Sequence, residues 1–95
     1  MTDDIYFHIF VRCRPRALRE RDLRELIEEM HACARDMNSE LLDACRCRGQ
    51  PAPDAEAEAA ACIEACIPVW RAQLRRACWM LRLPVPEVWV EGHRI

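Results

Sequence analysis

Near the start of the chain, apolar and polar positions alternate. Ile5, Phe7, Ile9, Val11 and Cys13 interleave with Tyr6, His8, Phe10, Arg12 and Arg14. A period of two with aromatic and β-branched content predicts a strand, ended by Arg14-Pro15. The period then lengthens. Leu18, Leu23, Leu26, Ile27, Met30, Cys33, Ala34, Met37 and Leu41 recur, from Leu23 onward, at steps of three and four. This is the stripe of an amphipathic helix running from about Arg16 to Asp36. Glu20 with Arg24, Arg21 with Glu25 and Arg24 with Glu28 stand at i,i+4 spacing on its outer face. Asn38 and Ser39 are good capping residues. They leave two readings open: a second helix carrying Leu41, Leu42 and Cys45, or a straight continuation of the first.

Arg46 to Pro53, with one Gly and two Pro, reads as a loop. Asp54 follows as an N-cap, and an Ala-rich segment of high helix propensity begins. Its stripe is Ala59, Cys62, Ile63, Cys66, Ile67, Trp70, Leu74, Ala77, Cys78 and Leu81. Pro68 interrupts that pattern and is expected to kink or split the helix. Pro84-Val85-Pro86 stops it, and Val88-Trp89-Val90 reads as a short closing strand. The expected architecture is a small, mostly helical α+β domain over residues 1–95, in the order β-α-(α)-α-β. Two strands alone make a poor sheet with open edges, which predicts a homodimer.

Composition sharpens this picture. With 95 residues, 52% apolar and 32% charged, the chain has ordinary globular content and no room for a large enzyme core. The net charge of −2 gives no global attraction to nucleic acid or anionic lipid. No segment reads as a secretory leader or is apolar enough to span a bilayer, so a soluble, cytoplasmic protein with no membrane partner is expected. All fourteen basic residues are Arg. That bias points to a GC-rich bacterial or phage genome, and it makes every cation a planar five-donor guanidinium.

The seven cysteines pose a thiol question. Cys33, Cys62, Cys66 and Cys78 fall on or beside helical stripes, where a small buried thiol is ordinary packing. Cys45 and Cys47 do not. The alternative is a Zn or Cu(I) site using Cys45, Cys47, Cys62 and Cys66, with His31 and Cys33 as further donors. A Cys-x-x-Cys knuckle is absent, so packing is the favoured reading and no cofactor is expected. Cys47, between Arg46 and Arg48, is the best candidate for a reactive thiol. Only two Gly and one Ser exist, which excludes a Gly-rich phosphate loop and a serine elbow, and no catalytic signature links a His to a Cys. A non-enzyme is expected.

Arginine placement carries the functional reading. Arg12, Arg14, Arg16, Arg19, Arg21 and Arg24 crowd one short stretch, and Arg71, Arg75, Arg76 and Arg82 form a second group with no acid between them. Trp79 projects onto the polar side of its helix near Arg75 and Arg82, unless the Pro68 kink or another element covers it. Trp and Arg are the residues most enriched at binding hot spots. The expectation is a macromolecular binder, an inhibitor or regulator of a protein partner such as phages and mobile elements encode. It would use Arg71, Arg75, Arg76, Trp79 and Arg82, together with Arg12, Arg14, Arg16 and Arg19. A nucleic-acid-binding regulator is a further alternative, weakened by the absence of a recognisable motif.

Overall fold

The structure is a computed structural model, and it describes residues 14–95. The strand expected over Ile5–Cys13 lies outside the described residues. Two long helices form an antiparallel hairpin, α1 over Arg16–Cys47 and α2 over Ala52–Leu81. A two-stranded antiparallel sheet follows, β1 over Trp89–Val90 and β2 over His93–Arg94. The domain is therefore small, mostly helical and α+β. A helix of 32 residues spans about 48 Å at 1.5 Å per residue, which accounts for most of the 53 Å long axis.

The seam between the helices repeats every eleven residues. Leu23, Ala34 and Cys45 are buried on α1 at that spacing, as are Ala59, Trp70 and Leu81 on α2, with Ile63 and Leu74, and Ile67 and Cys78, in parallel registers. Eleven residues make three turns of nearly straight helix, so the same face returns without the left-handed supercoil that a seven-residue repeat imposes. Ala34 and Ala59 are fully buried; having no side chain beyond Cβ, Ala34 leaves room for Met30, Ile63 and Trp70 in the same core.

α1 does not break at Asn38-Ser39 but runs straight through to Cys47. Leu41 and Leu42, half-buried beyond that point, continue the stripe, and tertiary packing outweighs the capping preference of two residues. α2 begins earlier than its acids imply. Pro51 is the N-cap, its carbonyl accepting from the Ala55 amide at 3.0 Å, and Asp54 sits in the first turn instead of capping it. Pro53 fits there because first-turn amides need no helical partner.

Pro68 does not split α2. Both Pro68 and Glu64, whose carbonyl loses its amide partner, are exposed; the orphaned carbonyl stays open to solvent, and packed helix on both sides holds the line. Both helices end in Schellman geometry. Gly49, at φ 74°, closes α1, with Gln50 N–H bonded to Cys45 O at 3.0 Å. At the end of α2 the left-handed position is held by Arg82, at φ 56°, and Leu83 N–H bonds Cys78 O at 3.0 Å.

The closing strand pairs with the segment just after it, across a two-residue turn of Glu91 (φ 48°) and Gly92 (φ 80°). Two positive φ values in succession are the type I′ geometry that matches strand twist. Leu83, Val88, Val90 and Ile95 anchor this hairpin in the core shared by the helices.

Because Pro68 faces water inside an otherwise continuous helix, Pro68→Ala restores the bond to Glu64. It should raise stability by about 1–3 kcal/mol, read as a higher midpoint in urea at unchanged slope; a lower midpoint would show that the ring is needed where it stands.

Candidate functional site

The arginines of α2 sort by helical position. At about 100° per residue, Arg71, Arg75 and Arg82 fall on one flank of the buried stripe, with Trp79 just beyond them. Arg76 falls on the opposite side. The C-terminal hairpin packs against the first flank, where Arg71 Nη2 donates to the Arg94 carbonyl at 3.3 Å. Between α2 and the hairpin lies an open groove of about 710 Å³. Arg71, Arg75 and Arg94 line it, with Leu74, Val85, Pro86 and Ile95 supplying apolar surface. Its one acidic side chain, Glu87, accepts from Trp89 Nε1 at 3.0 Å. Trp89 is 53% exposed at the groove's strand and Trp79 is 63% exposed further along α2, in keeping with its projection onto the polar face.

The N-terminal arginines have other partners. Arg14 pairs with Asp22 at 2.8 Å and Arg16 with Glu20 at 2.8 Å. Arg19 crosses to α2, where its Nη1 donates to the Leu81 carbonyl at 2.6 Å and its Nε to the Arg14 carbonyl at 3.0 Å. It thereby satisfies an orphan carbonyl and sets a cation at the negative end of the α2 dipole. Arg12 lies outside the described residues. Arg71 and Arg75 thus meet in the groove, whereas Arg19 ties α1 to α2 and Arg14 and Arg16 hold acidic partners on α1. Arg94 was missed by sequence reasoning, because no other arginine stands near it in the sequence. The available signal was Glu91-Gly92, a two-residue turn able to fold Arg94 back beside α2.

The cysteines change roles. Cys45, the one hardest to place from sequence, is fully buried, whereas Cys33 is exposed at the edge of the α1 stripe. Cys62 and Cys66 are half-buried and Cys78 is buried. The Cys45 thiol donates to Glu58 Oε2 at 3.3 Å, and Arg48 Nη2 donates to its sulfur at 3.1 Å. Burial pushes the Cys45 thiol pKa up, and the Glu58 carboxylate adds to the rise against the opposing effect of Arg48. The thiol's hydrogen bond, joined by one from Gln50 and by Arg48, holds Glu58 below its ordinary value. Burial alone raises the Cys78 thiol. Cys47 is exposed, but its flanking cations are engaged elsewhere: Arg46 pairs with Asp43 at 3.5 Å and Arg48 turns to Cys45 and Glu58. Among the described residues, no three or more of His, Cys, Asp and Glu gather as a metal-binding group, so Cys45, Cys47, Cys62 and Cys66 are not brought together as one.

No protein-family model matches the chain, and no curated protein or solved structure matches it. Among the described residues, no helix is long and apolar enough to cross a membrane.

A thiol whose folded pKa is raised stabilises the fold below its unfolded value, and that contribution is lost as pH rises through the folded value. Glu58 behaves in the opposite sense: its depressed pKa stabilises the fold above 4.5 and is lost as pH falls through the folded value. Thermal melts carried from neutral pH to above 9.0 should show an alkaline decline that is shallower in Cys45→Ala. Melts carried below 4.5 should show an acid decline that is shallower in Glu58→Gln. Parallel slopes in variant and parent would contradict this assignment.

Proposed function

We propose that this chain is a non-catalytic binding protein, an inhibitor or regulator that covers an acidic surface of a protein partner. The observation that carries the reading is the groove: three guanidinium groups converge on it, and its single acidic side chain is already hydrogen-bonded to Trp89. Guanidinium forks recognise carboxylates bidentately. Leu74, Val85, Pro86 and Ile95 between the cations favour a partner that presents apolar side chains beside its acids. Exposed tryptophans next to arginines are the composition of binding hot spots. A net charge of −2 favours a protein over nucleic acid, since the cationic face is local.

The proposal includes a homodimer. Its support is the small sheet, which has only two residues per strand and, among the described residues, no pairing beyond the one between β1 and β2.

Fluorescence anisotropy with a labelled peptide interspersing Glu and Leu tests the binding face. The parent should bind it, and Arg71→Glu with Arg75→Glu should weaken binding roughly tenfold, since each reversal turns an attraction of under about 1 kcal/mol into a repulsion. Unchanged affinity, or tighter binding of a single-stranded oligonucleotide than of the peptide, would overturn the reading. Light scattering on the free chain should give twice 11.1 kDa; the monomer mass at micromolar concentration would remove the dimer.

A further inference from the structure

The flank of α2 away from the groove carries sulfur. At about 100° per residue, Cys62 and Cys66 fall together on one edge of the buried stripe, opposite the edge that carries Arg71 and Arg75. Cys66 reaches α1, where its Sγ donates to Met37 Sδ at 4.0 Å. Both residues are half-buried and pack against the core from its rim. Cys62 stands one helical turn before Cys66 and is likewise half-buried. At i,i+4 spacing the two Cβ atoms lie about 5–6 Å apart, close enough for their sulfurs to share a ligand.

This seam therefore offers two thiols from one helix and a thioether from the other, at a depth that solvent reaches only partly. No set of three or more His, Cys, Asp and Glu surrounds it among the described residues, so a hard or borderline cation finds no complete shell of its own preferred donors. A soft monovalent ion needs only sulfur, and thiolate with thioether is the donor set that selects Cu(I).

We propose that Cys62, Cys66 and Met37 form a Cu(I) site at the interface of the two helices. Three sulfurs in a trigonal plane, each about 2.3 Å from the metal, lie about 4.0 Å from one another. The Cys66–Met37 pair already stands at 4.0 Å. The third sulfur is supplied by Cys62, one helical turn from Cys66 on the same edge of α2. On binding, the two thiols release their protons to solvent and the copper stays Cu(I); no oxidant or reductant enters. The loaded centre carries one net negative charge, from two thiolates and one monocation.

The other thiols serve this ion less well. Cys45 is buried and hydrogen-bonded to Glu58, and Cys78 is buried with its thiol form favoured. Cys33 and Cys47 are exposed at separate places on α1. The site differs from a four-thiol centre of Cys45, Cys47, Cys62 and Cys66 in keeping only the α2 pair and recruiting Met37.

The test is an anaerobic titration of the full chain with Cu(I) against bicinchoninate, in a background where Cys13, Cys33 and Cys47 are Ser. One Cu(I) per chain is expected, with an X-ray absorption spectrum fitted by three sulfurs at about 2.3 Å. Cys66→Ser, and separately Cys62→Ser, should surrender the metal to the competitor. Met37→Leu conserves volume, so the fold should persist by circular dichroism. It should still weaken Cu(I) by at least the roughly tenfold that even an outer-shell partner commands. No copper retained by the background, equal affinity in Met37→Leu, or full binding by the Cys62→Ser/Cys66→Ser double variant would each overturn the site.

Discussion

The contact on which the rest depends is the seam where α1 and α2 pack on an eleven-residue repeat. Leu23, Ala34 and Cys45 on α1 and Ala59, Trp70 and Leu81 on α2 are buried at that spacing along two nearly straight helices. The small side chain of Ala34 leaves room for large ones, and the buried stripe on α2 is narrow. The two flanks of α2 are left to different neighbours. α1 covers one, through Met37 against Cys66 and Cys45 against Glu58. The C-terminal hairpin covers the other, through Arg71 against Arg94. Sulfur and cation are separated because the seam lies between them.

Both ends of the hairpin of helices are secured by arginine, in different ways. At one end Arg48 bridges Cys45 and Glu58 across the turn; at the other Arg19 reaches from α1 to the last carbonyls of α2. Arg19 satisfies orphan backbone carbonyls, Arg48 ties side chains across the turn, and both steady a long, thin core. They also mean that arginine number and arginine function differ in this chain. Of the residues in the N-terminal group, Arg14, Arg16 and Arg19 hold intramolecular partners. The cations that converge on open space are Arg71 and Arg75, joined by Arg94.

Much of this was legible in the sequence, and the failures have physical causes. The stripe from Leu23 to Leu41 and the stripe of α2 were readable because apolar spacing at three and four is a strong local signal. The ends of the helices were not. Asn38-Ser39 and Asp54 carry capping preferences of order 1 kcal/mol, which packing of Leu41 and Leu42 and the fixed φ of Pro51 override. Pro68 looked disruptive because sequence does not show whether its ring faces water. Cys45 and Cys33 exchanged roles because the sequence left open whether the α1 face continues past Asn38; the helix runs straight through and buries Cys45 on that face. The groove was half visible: Arg71 and Arg75 were grouped by proximity, but Arg94 reaches them only through a tight turn at Glu91-Gly92 that returns the chain to α2.

The central claim is that partner binding resides on the hairpin-covered flank of α2, with the sulfur-bearing flank forming no part of that surface. Titrating the ¹⁵N-labelled chain with an acidic Glu- and Leu-containing peptide, and following amide and arginine side-chain resonances, tests it most directly. The account predicts that the largest shifts fall at Arg71, Arg75 and Arg94 and over residues 85–89, with Glu58 to Cys66 unmoved. Shifts centred on Glu58 to Cys66, or spread evenly over the arginines of both helices, would contradict it.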